Sequence, residues 1–134
     1  MDTYFNDKIA VVTGAGGVIC SAVSKSLAKE GMTVLLVGRT MAKLEKVANE
    51  IKAEGGKCAC YECNVQDQKS VNELADKIIT EYGKVDYLVN GAGGNNSLAV
   101  PNIAKFDPRE LEENKPNDLK GLYNVDMDAF ESVI

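Results

Sequence analysis

The stretch KIAVVTGAGGVIC, residues 8–20, constrains this chain more than any other. An apolar run from Ile9 to Val12 breaks at Thr13 into Gly14, Gly16 and Gly17, after which Ile19, Ala22, Val23, Ser26 and Leu27 recur three or four apart. A short apolar run bounded by glycine reads as a buried strand, and the three-to-four spacing reads as a helix. The segment is therefore a strand, a tight turn and a helix. Such a turn aims backbone N–H groups at the start of a helix toward an anion, and the diphosphate of a nucleotide is the usual guest. Glycine also serves simply to turn a chain, so the meaning of this turn depends on the motifs in the rest of the chain.

The same alternation continues. Gly31 follows Lys29 and Glu30, where a left-handed residue closes a helix, and residues 33–37 form a second buried strand. Gly38, Arg39 and Thr40 turn into a second helix marked by Leu44, Val47, Ala48 and Ile51, which stops at Gly55 and Gly56. A third strand runs from about 57 to 62. The third helix has the clearest period, Val71, Leu74, Ala75, Ile78, Ile79 and Tyr82. Either Asp67 or a Ser70/Glu73 capping box opens it, and Gly83 ends it. A fourth strand spans 87–90. Strands alternating with helices predict an α/β, doubly wound parallel sheet, and right-handed crossovers order it 3-2-1-4. Whether the helices after strands one and three share a face or take opposite ones stays open, and the second half of such a fold is absent. From about 91 to 126 the pattern gives way to Gly, Asn, Pro and charge, which predicts a long loop insertion or lid. Asp128 with Glu131 then caps one more helix, whose Phe130, Val133 and Ile134 begin an apolar face. One incomplete domain over residues 1–134 is expected.

Composition removes several function classes. A length of 134 residues suits one core. A net charge of −5 without a basic cluster argues against a nucleic-acid partner, whose phosphates need a Lys/Arg face. No apolar run approaches the roughly 20 residues of a membrane span, and MDTYFNDK lacks the apolar centre of a signal peptide. A soluble, cytoplasmic protein is expected. Cys58, Cys60 and Cys63 invite a metal reading, but a fourth ligand is missing locally and the group lies in a strand pattern. Reduced structural thiols, Cys20 included, are the preferred reading, with no metal. Asn95, Asn96 and Ser97 match a glycosylation sequon that a cytoplasmic chain would leave unused.

Taken together, TGAGGVIC at 13–20, the Gly38-Arg39 turn, Asn64-Val65 after strand three and NGAG at 90–93 resemble the short-chain dehydrogenase/reductase family. The resemblance covers residues 5–95. It implies that Gly14, Gly16, Gly17, Val18 and Ile19 wrap a diphosphate and that Arg39 meets the adenosine ribose. It places Asn64 and Val65 at adenine, and it has Asn90, Gly91, Ala92 and Gly93 border the nucleotide and steady the central strand. Three departures stand out. Gly14 and Gly17 follow a Gly-x-x-Gly-x-x-Gly spacing with Cys20 where the last glycine would be, which predicts a wider gap or a shifted helix. Asn64 replaces an Asp, leaving an amide oxygen to accept from the adenine amino group. Gly91 replaces the second Asn of the common NNAG.

The VTGAGGVIC form, the GAGGNN run at 91–96 and the polar insertion are similar to the mannonate oxidoreductase (fructuronate reductase) branch of that family. This implies a parent enzyme that interconverts a sugar acid's hydroxyl and keto groups with a nicotinamide hydride. A homo-oligomer is also expected. Gly38 removes the acid that would repel a 2′-phosphate, and Arg39 can pair with one, so NADP is favoured and NAD is the runner-up. The family's chemistry rests on a Ser and a Tyr-x-x-x-Lys beyond the fifth strand, so no catalytic residue and no turnover are expected of this chain. Tyr4 with Lys8 forms such a string but precedes the first strand, and Tyr61, Tyr82, Tyr87 and Tyr123 have no Lys four residues on. Two other readings stay open. One is a non-catalytic dinucleotide-binding module; the other, suggested by the glycine spacing, is an epimerase or dehydratase.

Overall fold

A computed structural model describes residues 3–94, 105–114, 119, 121 and 125–131. Four strands, β1 (Ile9–Thr13), β2 (Thr33–Gly38), β3 (Lys57–Glu62) and β4 (Tyr87–Val89), form one sheet in the order β3-β2-β1-β4. Every pairing is parallel, with Val11 opposite both Leu35 and Leu88, and Leu35 opposite Ala59. The helices α1 (Val18–Lys29), α2 (Met41–Ala53) and α3 (Gln68–Tyr82) fill the three crossovers.

Alternation along the strands divides the core in two. Ala10, Val12, Val34 and Leu36 pack with Ala28 of α1 and with Leu44, Val47 and Ile51 of α2. Ile9, Val11, Leu35 and Val37 pack on the other face with Tyr61, Cys63 and Ile78 of α3. The handedness of the crossovers explains this. The first two move the chain from β1 outward to β3, and the third carries it back past β1, so right-handed connections put α1 and α2 on one face and α3 on the other.

Several local expectations shift. On α1 the buried residues are Cys20, Ser24 and Ala28, with Leu27 packed beside them, while Ile19 is 79% exposed. The apolar stripe read from the sequence is thus turned by one residue, because small side chains let the helix lie close to the sheet. Ser24 is tolerated there because its hydroxyl donates to the Cys20 carbonyl at 2.7 Å. At α3, Asp67 is the cap, its side chain accepting from the Lys69 N–H, and Gly83 closes the helix at φ 76°. Ser70 serves another turn: its Oγ accepts from the Asn64 N–H and lies 3.3 Å from Cys63 Sγ. Tyr61 donates to Glu81 at 2.5 Å, tying β3 to the end of α3. Burial, and then this contact, push the Tyr61 phenol well above its ordinary pKa, so it stays protonated.

All four cysteines are free thiols. Cys58 and Cys60 pack against the α1/α2 core, and Cys63 belongs to the core on the α3 face. Two-residue alternation has therefore spread the C-x-C-x-x-C string over both faces of the sheet. Burial pushes the Cys58 and Cys60 thiols up in pKa.

The chain divides into two compact units, residues 1–92 and 93–134. In the second, a 3-10 turn at Pro108–Leu111 carries a capping box between Asp107 and Glu110, and Glu110 is buried. Helix α4 (Met127–Glu131) follows. Its cap is Asp126, whose Oδ1 accepts from the Ala129 N–H at 2.7 Å, rather than Asp128, which lies in the first turn. Asn95, Asn96, Ser97, Tyr123, Val133 and Ile134 lie outside the described residues.

Candidate functional site

The C-terminal ends of the parallel strands bring the sequence motifs to one rim. Gly14 leaves β1 at φ 65°, a left-handed conformation that only glycine adopts readily. Ala15 is then buried, its N–H donating to the Val37 carbonyl of β2 at 3.1 Å. Gly17 N–H closes the turn on the Gly14 carbonyl at 3.0 Å, and Gly17 caps α1 without any side-chain partner. The first full helical bond runs from Ser21 N–H to the Gly17 carbonyl. Helix geometry therefore leaves the Val18, Ile19 and Cys20 N–H groups without an intrahelical acceptor. The first turn of α1 holds no acid, so its partial positive charge is not neutralised there. Val18 and Ile19 turn their side chains outward, at 89% and 79% exposure, beside that donor set.

The turn after β4 is fastened to this one. Thr13 Oγ1 accepts from both the Gly91 and the Ala92 N–H groups, each at 3.0 Å, and its own O–H faces the Val89 carbonyl at 3.4 Å. Gly14 lies so near the second turn that a Cβ on it would stand 2.6 Å from the Gly91 oxygen and 2.9 Å from the Ala92 nitrogen. Gly16 faces α2 just as closely, and its Cβ would come within 2.9 Å of Lys43 Cβ. Asn90 is exposed at the end of β4. Gly93 opens the second compact unit.

The remaining motif residues take their places in strand order. Arg39 is exposed beyond the end of β2 and makes no ion pair among the described residues. Beyond β3, the Cys63 N–H donates to the Gly38 carbonyl at 2.9 Å, which sets Asn64 and Val65 beside that turn. The Asn64 amide oxygen accepts from the Gln66 N–H at 3.1 Å, so one of its two lone pairs holds the loop. Val65 is 42% exposed and lines, with Thr13, Leu88 and Asn90, an apolar groove of about 410 Å³ on the α3 side of the sheet. Tyr4 sits at the far end of β1: its ring is 5.0 Å from that of Phe5, and Lys8 Nζ lies 5.5 Å above it. Sequence reasoning missed Thr13 as the fastener. A hydroxyl residue directly before the first glycine was its one visible signal.

A parallel sheet whose strand order reverses at β1, with β2 on one side and β4 on the other and a glycine turn entering a helix at that point, defines the Rossmann-type doubly wound class. Within it, the chain belongs to the short-chain dehydrogenase family, whose model matches residues 8–131. An uncharacterized oxidoreductase of Haemophilus influenzae is 41% identical over 127 residues, 95% of this chain and 43% of that protein. Uncharacterized oxidoreductase UxuB of Bacillus subtilis is 39% identical over 100 residues, 75% of this chain and 36% of the relative. Among solved structures, a Haemophilus protein provisionally designated a D-mannonate oxidoreductase, with bound NAD, superposes with a TM-score of 0.79 at 32% identity. That match covers 96% of this chain and 44% of the other. A metagenomic short-chain oxidoreductase in complex with NADP gives a TM-score of 0.67 at 33% identity, over 68% of this chain and 41% of that one. The chain thus spans less than half the length of these relatives. Among the described residues, no helix is long and apolar enough to cross a membrane, and no group of three or more His, Cys, Asp or Glu could hold a metal ion.

Proposed function

We propose that this chain is the cofactor-holding portion of an NAD(P)-dependent oxidoreductase that interconverts a hydroxyl and a keto group on a sugar acid such as mannonate or fructuronate. The observation that carries the reading is the fastening of the first glycine turn to the β4 turn by Thr13, beside the open N–H groups of α1. The backbone is packed too tightly at Gly14 for a side chain, which suits a turn shaped to lie along a diphosphate. Gly14, Gly16 and Gly17 with the Val18 and Ile19 N–H groups would hold that diphosphate. Asn64 and Val65 would border adenine, and Asn90, Gly91, Ala92 and Gly93 would border the nicotinamide half. The bound nicotinamide supplies or accepts the hydride. No residue of this chain is assigned to proton transfer, since Tyr4 and Lys8 stand at the opposite end of β1 from the glycine turn. The sugar-acid assignment is supported by the likeness to the Haemophilus protein designated a D-mannonate oxidoreductase.

NADP is the favoured cofactor and NAD the runner-up. Gly38 places no carboxylate at the end of β2, and Arg39 beside it is exposed without an acidic partner among the described residues. A guanidinium there is free to pair with a 2′-phosphate. Titrating the chain with NADPH and NADH while following nicotinamide fluorescence tests this. Arg39→Asp is expected to weaken NADPH roughly tenfold, the size of one charged hydrogen bond lost, and to leave NADH within about twofold. Equal losses for the two cofactors would overturn the preference, and binding of neither by the unmodified chain would overturn the function.

A further inference from the structure

Two positions that stand out separately in the sequence, Cys20 and Gly91, meet in the fold. Cys20 is the third residue of α1 and is buried, at 9% exposure. Gly91 begins the turn after β4, which donates its Gly91 and Ala92 N–H groups to Thr13. A Cβ built on Gly91 would collide with the Cys20 thiol. It would also stand 2.7 Å from the Thr13 carbonyl oxygen, but only 3.4 Å from Cys20 Cβ, an ordinary contact. The sulfur and the Thr13 carbonyl oxygen thus both exclude a side chain at position 91, and of the two the sulfur is the one that a substitution can remove.

We infer that Cys20 and Gly91 are a coupled positioning pair, the thiol of one filling the space that the missing side chain of the other leaves open. The pair sets the gap between the start of α1 and the β4 turn. Gly14 rests directly on the Gly91 carbonyl, so a displacement at Gly91 reaches the anion-facing turn with no intervening side chain to absorb it. Interiors this closely packed pass strain on rather than dissipate it. The wider gap expected from a cysteine at the third glycine position is therefore not needed, since the space is found at residue 91 instead. The role in cofactor binding rests on the function proposed above; the steric coupling does not.

The test is a cycle of Gly91→Ala, Cys20→Ala and the double variant, read both by urea unfolding and by NADPH titration of the folded chain. Alanine at position 20 keeps the Cβ that tolerates a neighbour and is a good helix former. Gly91→Ala alone is expected to weaken NADPH binding roughly tenfold, the range of coupling seen between residues in contact. Cys20→Ala alone should change it by less than about threefold. The double variant should recover part of the loss but not all of it, because the Thr13 carbonyl oxygen, a backbone atom, still crowds position 91. Strictly additive effects in unfolding would overturn the pair. Recovery of stability without recovery of affinity would overturn its role in positioning the turn. If the unmodified chain binds neither cofactor, the proposed function falls, and the unfolding cycle alone decides the coupling.

Discussion

Thr13 shows how much can depend on a single oxygen. Its hydroxyl accepts from two backbone donors that lie 78 and 79 residues away in sequence, and those donors belong to the turn on which Gly14 rests. Thr13→Val keeps the shape and removes the acceptor. It should cost about 1 kcal/mol, the net worth of an ordinary intramolecular hydrogen bond, and weaken dinucleotide binding, whereas Thr13→Ser should retain both. Urea unfolding beside NADPH titration measures the two effects, and a Thr13→Val chain equal to the unmodified one in both would remove Thr13 from its role. At this scale the sequence displayed the glycines, because backbone strain and close approach admit little else. It did not display what the glycines touch. Asn64 could be named as a hydrogen-bonding group, but its commitment to the Gln66 N–H depends on a loop path that composition does not encode.

Among the elements, α2 was legible residue by residue: Leu44, Val47, Ala48 and Ile51 are all buried at the expected spacing. Helix α1 was legible only as a helix, since its buried face is made of Cys20, Ser24 and Ala28, which hydrophobicity ranks below the exposed Val18 and Ile19. The adjacency of β1 and β4 was legible in the expected order 3-2-1-4, but the side chain that ties their starts together was not. There Asp86 Oδ2 accepts from the Ile9 N–H at 2.8 Å, at the end of the sheet opposite the glycine turn. That backbone donor first, then Lys84, hold the Asp86 carboxyl below its ordinary value of 3.8. A carboxyl whose pKa is lower in the folded chain contributes stability that is present above the unfolded value and is lost as the pH falls through the folded one. Asp86→Asn should therefore be less stable than the unmodified chain by a constant margin above about pH 5, and the margin should shrink below pH 3.8. Denaturant midpoints across that range measure it, and a margin that does not change with pH would exclude the charge as its source.

For the whole molecule, strand order followed from the handedness of crossovers, a rule that needs only the sequence of elements. The second compact unit left a fainter trace: the capping pattern of Asp128 and Glu131 announced the helix at Met127–Glu131, whereas the four-residue 3-10 turn is too short to impose a period. In the sheet, β4 has β1 as its one strand partner among the described residues, and Leu88 and Ile79 beside it are 59% and 53% exposed. An open strand edge next to apolar side chains is a template for association. The chain should form dimers or larger species as its concentration rises, and Leu88→Lys should suppress them. Sedimentation velocity reads this, and a monomer at every concentration would refute it. The sheet order also has a consequence in time. The first strand made is a central one, and its partner on one side is the last strand of the sheet, so the bonds from Thr13 close a loop that spans most of the folded core. Such distant closures are slow steps, and a chain growing from the ribosome cannot make this one until residue 92 has emerged. The glycine turn therefore acquires its final shape only after β2, β3 and the three helices exist, and an interrupted chain carries the nucleotide motif without its fastened form.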